Sequence, residues 1–235
     1  MIPATMQPCT PEAYDLMHYG MMALSEVESN GLCIDTEYVK KTTAELTVTV
    51  KECQTRLKDH PHWTKWKKRF RDKTSLGSGD QLGVLLYEVL GHKPTSFTDT
   101  GRPSTDESAL EKIDDDFVTD YVKWSKYEKA LGTYLRGIER ETIDGFIYPV
   151  FNLHLARTYR SSSEAPNFQN IPVRNKEISK LVRRCYVPRP GHRLVEIDYG
   201  GVEVKIAACY HRDPVVLRDI IEGDMHRDMA AECFK

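Results

Sequence analysis

The residues with the clearest chemical potential lie near the end of the chain. Asp198 closes the apolar run 193–198, and Glu203 follows about one helical turn later. If that run is a buried strand, its final carboxylate is held rigidly and points beyond the sheet edge. Mg²⁺ prefers oxygen ligands and takes one or two carboxylates together with substrate phosphates. Asp198 and the carbonyl of Tyr199 are therefore a candidate Mg²⁺ site, and a cap for the helix that begins near Gly201 is the competing interpretation.

A second polar group lies on the loop 158–174, which carries prolines and several donor side chains. These donors are Arg160, Asn167, Gln169, Asn170 and Arg174. Such side chains contact phosphates, sugars and base edges in the minor groove. An ordinary polar surface loop has the same composition, so the local pattern leaves both interpretations open.

A basic segment, 60–73, interrupts the helical part of the chain. Its cations Lys65, Lys67, Lys68 and Arg69 stand among Trp63 and Trp66. Lysine and arginine laid along a duplex release counterions, which makes binding depend on salt. A solvated basic helix face predicts the same composition equally well.

The elements around these residues are mainly helical up to Ile143. A helix over 14–29 ends at Asn30 and Gly31, and Asp35 caps the next one. That next helix has the seam Val39, Thr43, Leu46, Val50, Cys53 and Leu57. A later helix repeats the rhythm at Phe117, Tyr121, Trp124, Tyr127, Leu131, Tyr134 and Ile138. The period, close to 3.5 residues, predicts two long helices packed antiparallel as a stalk, with a dimeric coiled coil as the alternative.

The pattern changes near residue 143. Aromatic and branched residues over 146–155 predict a strand pair, 193–198 predicts a short strand, and 202–210 predicts a helix. Asp213 with Pro214 predicts the start of another helix. The acidic run 114–116 is better explained as a helix start than as a metal site. The chain is therefore predicted to have an α+β fold, with a helical lobe over 1–143 and a second lobe over 144–235.

Bulk properties fit a globular protein without a membrane span. The chain has 235 residues, 40% of them hydrophobic, and a formal net charge of −2, so any attraction to nucleic acid must be local. Its six cysteines are scattered without a CxxC pair, which argues against a disulfide framework and a zinc site. No apolar run approaches the ~20 residues of a spanning helix, and no secretion signal is visible. A cytoplasmic location is expected.

The order of these blocks resembles family A DNA polymerases, the DNA polymerase I-like group, over nearly the whole chain. The blocks are the loop 160–174, Leu181-Val182-Arg183-Arg184, the run 198–203 and Asp224-Met225-His226. Asp80-Gln81-Leu82 and Arg102-Pro103-Ser104-Thr105 resemble the thumb of the family. The resemblance implies a mostly helical thumb with two long antiparallel helices, followed by an incomplete palm with a small antiparallel sheet.

The resemblance also implies roles for single residues. Asp198 matches the first metal-binding aspartate, Tyr199 the neighbour that lends its carbonyl, and Glu203 the gate that rejects a 2′-hydroxyl. Arg160, Asn167, Gln169, Asn170 and Arg174 match the segment that contacts primer and template, and His226 matches a ligand of the incoming triphosphate. The implied reaction joins a deoxynucleoside triphosphate to a primer terminus, and two Mg²⁺ ions are expected in the complete site.

Two departures from the family pattern qualify the implied activity. Gly200-Gly201 replaces the usual Ser-Gln before the gate, and Lys205 replaces the usual Arg, so nucleotide choice is open. The sequence stops at Lys235, before the fingers helix and the turn that bears the second metal carboxylate. We therefore expect this chain alone to be inactive and to need a second polypeptide or a missing segment.

Two other functions compete with the catalytic one. A non-catalytic subunit that binds primer–template DNA would need the scaffold but neither Asp198 nor Glu203. A single-subunit RNA polymerase is disfavoured by Glu203 and by Gln169-Asn170.

Overall fold

The computed structural model describes residues 11–156, 158, 160–173, 175–223, 227, 230–231 and 233. These residues form two compact units, one up to His192 and one from Arg193 onward. The predicted α+β class is confirmed, because helices predominate and the strands form small antiparallel sheets. None of the described helices is long and apolar enough to cross a membrane.

The first two helices lie close to where the sequence predicts them, although the first begins at Pro11 and not at Tyr14. Helix α1 spans Pro11–Asn30, and Gly31 follows with φ +62°, a conformation that a side chain would strain. After strand β1, Leu32–Cys33, helix α2 spans Thr36–Asp59. Its first turn is capped by Asp35, whose carboxylate accepts a hydrogen bond from Tyr38 N at 2.9 Å.

The stalk is formed by α2 and a long helical segment that starts with α6, Asp116–Lys129. That segment continues through wider turns over Ala130–Leu135 into α7, Arg136–Glu141. The helices run antiparallel, since Arg56 near the end of α2 pairs with Asp120 near the start of α6 at 3.5 Å. The buried seam of α2 consists of Val39, Thr42, Leu46, Val50, Cys53 and Leu57. Only the threonine differs from the predicted seam, and the coiled-coil alternative is not needed because the seam is covered within the chain.

Shorter helices close the end of the stalk. Helix α3 spans Pro61–Phe70, and α4, Gly79–Gly83, continues as wider turns over Val84–Val89 before Gly91. Helix α5 is Glu107–Leu110. The predicted helix start in the acidic run is confirmed at α6, where Asp115 Oδ1 accepts from the amides of Phe117 and Val118 at 2.9 and 3.3 Å.

Two small sheets and one helix complete the first unit. Strands β2, Thr142–Ile143, and β3, Phe146–Ile147, join β1 in the order β1-β3-β2. Strands β4, Val150–Asn152, and β5, Ser162–Glu164, form a hairpin, and α8, Lys176–Arg183, follows. In this sheet β1 pairs with β3, and β3 pairs with β2, so strands before and after the predicted lobe boundary at residue 143 share one sheet. The division into lobes at residue 143 stays a prediction. The boundary between the two compact units falls between residues 192 and 193.

The second unit contains α9, Val202–His211, and α10, Pro214–Glu222. The predicted start of α10 is confirmed, because Asp213 Oδ1 accepts from Val215 N at 2.8 Å and Pro214 occupies the first turn. The strand predicted over 193–198 is wrong: these residues are exposed and pair with no described strand. A strand needs neighbouring backbone to accept and donate its hydrogen bonds, which local sequence does not reveal.

Candidate nucleotide and nucleic-acid sites

The carboxylate segment around Asp198 is open to solvent. Val195 is 78% exposed and Ile197 84%, and Tyr199 is 79% exposed. Asp198 therefore lies on an accessible segment outside any described strand, whereas the sequence predicted a buried strand end.

The turn after Asp198 leads directly into α9. Gly201 has φ +62° and is the residue before the helix, so glycine suits this position better than any larger residue. Gly201 has no side chain with which to cap the first turn, and among the described residues the Asp198 carboxylate accepts no hydrogen bond, so the capping interpretation of Asp198 has no support. Glu203 lies in that first turn and is exposed, where the helix dipole favours a negative charge.

The donors offered to a cation here are all oxygens. The Asp198 carboxylate and the Tyr199 carbonyl are consecutive along the chain and accessible, which fits a hard ion such as Mg²⁺ that completes its shell with water and phosphate. Among the described residues, no group of three or more His, Cys, Asp or Glu side chains is arranged to hold a metal. The Mg²⁺ site stays a prediction that rests on these two ligands.

The loop between β5 and α8 is built by its own polar side chains. Asn167 Oδ1 accepts from Gln169 N at 3.1 Å and from Ser163 Oγ at 3.2 Å, and it caps a short turn over Phe168–Asn170. Gln169 Nε2 donates to Ser161 Oγ at 3.0 Å. The Asn167 and Gln169 side chains thus fix the loop locally while remaining exposed themselves.

The hairpin β4–β5 and the ring of Phe168 anchor this loop to the first unit. Asn152 Nδ2 donates to Glu164 Oε1 at 2.9 Å across the hairpin, and Phe168 packs on Tyr186 with ring centroids 5.4 Å apart. Burial raises the pKa of the Tyr186 hydroxyl, so this group stays a hydrogen-bond donor at neutral pH. The loop therefore has a fixed apolar side and an exposed polar side.

A cavity of about 360 Å³ lies beside this loop. Asn167 and Asn170 line it together with Lys129, Tyr134 and Tyr186. Lys129, at the end of α6, and Tyr134, in the wider turns that follow, were not predicted as site residues. A cation beside an aromatic ring is compatible with nucleic-acid contact. The structure thus brings two predicted residues together with a lysine from the stalk.

Of the remaining predicted residues, the structure describes Arg160 but not Arg174 or His226. Arg160 is exposed at the start of the loop. Arg174 and His226 lie outside the described residues, so their predicted roles are unaddressed.

Helix α3 presents the predicted cations on its outer face. Lys65, Lys67, Lys68 and Arg69 are all exposed. Trp66 is completely buried and donates from Nε1 to Gln81 Oε1 at 3.1 Å, so it anchors the helix and is unavailable for contact with DNA. An exposed basic face is compatible with binding of the phosphate backbone and equally with a solvated helix surface, so the DNA contact stays a prediction.

Comparison with known proteins places the chain in a family. A model described as DNA polymerase family A matches residues 36–235. The chain belongs to DNA polymerase family A. It is similar to DNA polymerase I of Pseudomonas aeruginosa, with 35% identity over 166 residues, 68% of this chain and 18% of that protein. It is also similar to the DNA polymerase of Bacillus phage SP01, with 25% identity over 272 residues, 94% of this chain and 29% of that protein.

A solved structure supports the same assignment. The fold is similar to the POL domain of Pol1 from M. smegmatis in complex with DNA primer-template and dNTP, with a TM-score of 0.71 and 26% identity. The match covers 90% of this chain and 36% of that one. The chain thus spans well under half the length of the relatives it matches.

Proposed function

We propose that the chain is the thumb and the first part of the palm of a DNA-directed DNA polymerase, which adds deoxynucleotides to a primer terminus under the direction of a template. The match to DNA polymerase family A over residues 36–235 carries this proposal. The similar M. smegmatis domain, which was solved with primer-template and dNTP, supports DNA and a deoxynucleotide as the ligands.

Asp198 and the Tyr199 carbonyl would hold the divalent ion. When bound, Mg²⁺ stabilises developing negative charge on phosphoryl oxygens and favours the ionised form of the attacking hydroxyl. Asp198 contributes a fixed negative charge on an accessible segment, and its neighbour contributes a neutral oxygen. The 3′-hydroxyl of the primer attacks the α-phosphorus, and pyrophosphate leaves.

The first turn of α9 would select the nucleotide. Glu203 packs under the sugar and leaves no space for a 2′-hydroxyl, so deoxynucleotides are preferred. Gly200 and Gly201 carry no side chains, which lets the backbone approach the nucleotide closely. His226 would contact the triphosphate from the segment beyond α10.

DNA would be held at two places in the first unit. Arg160, Asn167, Gln169, Asn170 and Arg174 would contact the primer and template near the growing end. The basic face of α3 would lie along the duplex backbone, since its cations Lys65, Lys67, Lys68 and Arg69 are exposed on one element.

The fingers and the second metal carboxylate would come from another segment of polypeptide. One carboxylate is not enough for two-metal phosphoryl transfer, and the relatives extend far beyond the matched part. In this proposal residues 1–143 form the lead-in helix and the thumb, and residues 144–235 form the first part of the palm. The expected location is the cytoplasm.

Primer extension tests the proposal directly. The chain is mixed with Mg²⁺, dNTPs, primer–template and a second polypeptide that carries the fingers and the second carboxylate of a family A polymerase. We expect extension by the native chain, loss of extension with Asp198→Ala, and retention with Asp213→Asn, which preserves the cap of α10. Extension that survives Asp198→Ala would remove the metal assignment.

The same mixture tests the non-catalytic alternative. Tight binding of primer–template by the native chain, without extension in any combination, would favour a DNA-binding subunit over an enzyme. Binding alone would then be insensitive to Asp198→Ala and Glu203→Ala.

A further inference from the structure

Two histidines converge on one carboxylate oxygen at the end of the stalk. Nε2 of His62 and Nε2 of His92 each lie 3.2 Å from Asp115 Oδ2. The side chains are 21%, 26% and 13% exposed for His62, His92 and Asp115 respectively. The group, which we call the Asp115 cluster, is therefore largely removed from water.

The hydrogen-bond roles within the Asp115 cluster follow from the chemistry of a carboxylate. An ionised carboxylate only accepts, so both Nε2 atoms carry hydrogen whatever the protonation state of the rings. Burial alone raises the pKa of Asp115, but hydrogen bonds from Val118 N and His62 outweigh it and hold the pKa below its usual value. Asp115 is thus ionised at neutral pH.

The Asp115 cluster joins three segments that are distant in sequence. Asp115 Oδ1 caps α6, His62 belongs to the first turn of α3, and His92 follows the wide turns after α4. His60, which caps α3, packs its ring 4.5 Å from that of His62. One carboxylate therefore fixes the start of α3 relative to the start of the stalk helix.

The opposite end of α3 is fixed by a different contact. Trp66 is part of the core, and Phe70 packs against it. The four cations of α3 are exposed, one before Trp66 in sequence and three between Trp66 and Phe70. Loss of the contact at His62 would let the first turn of α3 move while the buried tryptophan stays in place. The direction of the basic face would change, although the helix would remain.

We propose that Asp115, acting through His62 and His92, is a positioning residue that aims the basic face of α3 at the duplex backbone. This inference rests on the proposed contact between α3 and DNA. It assigns to a helix-capping residue a second role in DNA binding.

The substitution Asp115→Asn separates the two roles of this residue. Asparagine caps a helix as well as aspartate does, so the α6 cap is retained. With Oδ1 kept on the α6 cap, the amide nitrogen takes the place of Oδ2 and only donates, so neither Nε2–H keeps its acceptor. The other tautomer of His62 would place its hydrogen on Nδ1, which is buried and has no partner among the described residues. Asp106→Asn is the matched control, because Asp106 caps α5 by accepting from Ala109 N at 2.9 Å and contacts no histidine.

Binding of the full chain to a labelled primer–template is measured across a salt series. We expect Asp115→Asn to make the slope of log K against log [salt] shallower by about 0.9, the loss of one phosphate contact, and Asp106→Asn to leave it unchanged. His62→Leu should repeat the effect, whereas His62→Gln, whose amide N–H can still donate to Asp115, should restore the native slope.

The substitution Lys67→Ala distinguishes the two levels of the proposal. If Lys67→Ala and Lys68→Ala leave the slope unchanged, α3 does not contact the duplex and the proposed contact fails. If these lysine variants make the slope shallower while Asp115→Asn and His62→Leu keep the native value, positioning by the Asp115 cluster is refuted. Should Asp115→Asn fail to fold, the His62→Leu and His62→Gln pair decides: equal slopes for the two refute positioning, and restoration by glutamine supports it.

Discussion

The contact between Trp66 and Gln81 gives a sharp prediction about how the basic helix is held. Gln81 Oε1 accepts from Trp66 Nε1 at 3.1 Å and from Ser75 N at 3.0 Å, and its Nε2 donates to Lys73 O at 2.8 Å. The substitution Gln81→Met keeps the length of the side chain and removes all three hydrogen bonds. The substitution perturbs the contact that anchors α3 through Trp66, and it changes no charge.

The magnitude follows from which partners water can reach. Ser75 and Lys73 are exposed, so water replaces the bonds to their backbone groups at little cost. Trp66 is 0% exposed, so its N–H is left buried without an acceptor. An unsatisfied buried donor costs about 1–3 kcal/mol, and we expect Gln81→Met to lower the free energy of unfolding by that amount.

A double-mutant cycle in urea, followed by tryptophan fluorescence, tests this assignment. In a Trp66→Phe background the indole N–H is absent, so Gln81→Met should then cost less than about 0.5 kcal/mol. Gln169→Met is a matched control, because it removes only an exposed hydrogen bond to Ser161 and should change stability by less than about 0.5 kcal/mol. An equal cost of Gln81→Met in both backgrounds would refute the reasoning.

Three further predictions concern other parts of the chain. Burial raises the pKa of Tyr121 from 10.0 to about 12, so its contribution to stability is complete below pH 10.0 and is lost as the pH rises towards 12. Urea unfolding of Tyr121→Phe should show a weaker loss of stability over that range, and an unchanged profile would contradict the assignment. Asn167→Asp keeps the acceptor for Gln169 N, so the melting temperature should hold while primer–template binding weakens through charge repulsion. Glu203→Ala in the complemented extension assay should raise incorporation of ribonucleotides, and unchanged sugar selectivity would remove the gate assignment.

Sequence alone predicted the features that depend on neighbours along the chain. The seam of α2 follows from a repeat close to 3.5 residues and was confirmed except for Thr42 in place of Thr43. The cap at Asp35 and the helix starts at the acidic run 114–116 and at Asp213 with Pro214 follow from local rules and were also confirmed.

Features that depend on distant partners were not predictable in the same way. The run 193–198 has the composition of a strand, yet no described strand pairs with it, because pairing is decided outside the run. The sequence groups Trp66 with the cations of the basic segment 60–73, whereas the structure buries Trp66 in the core beneath them. The Asp115 cluster joins residues 62, 92 and 115, and no periodicity connects these positions.

Localised cleavage by bound iron tests the central claim about Asp198 most directly. Fe²⁺ replaces Mg²⁺ in the chain mixed with primer–template and dNTP, and hydroxyl radicals then cut the backbone close to the ion. The account predicts cuts within residues 196–203 of the native chain, their loss in Asp198→Asn, and their persistence in Asp213→Asn. Cuts of equal strength in Asp198→Asn, or none near this segment in the native chain, would contradict it.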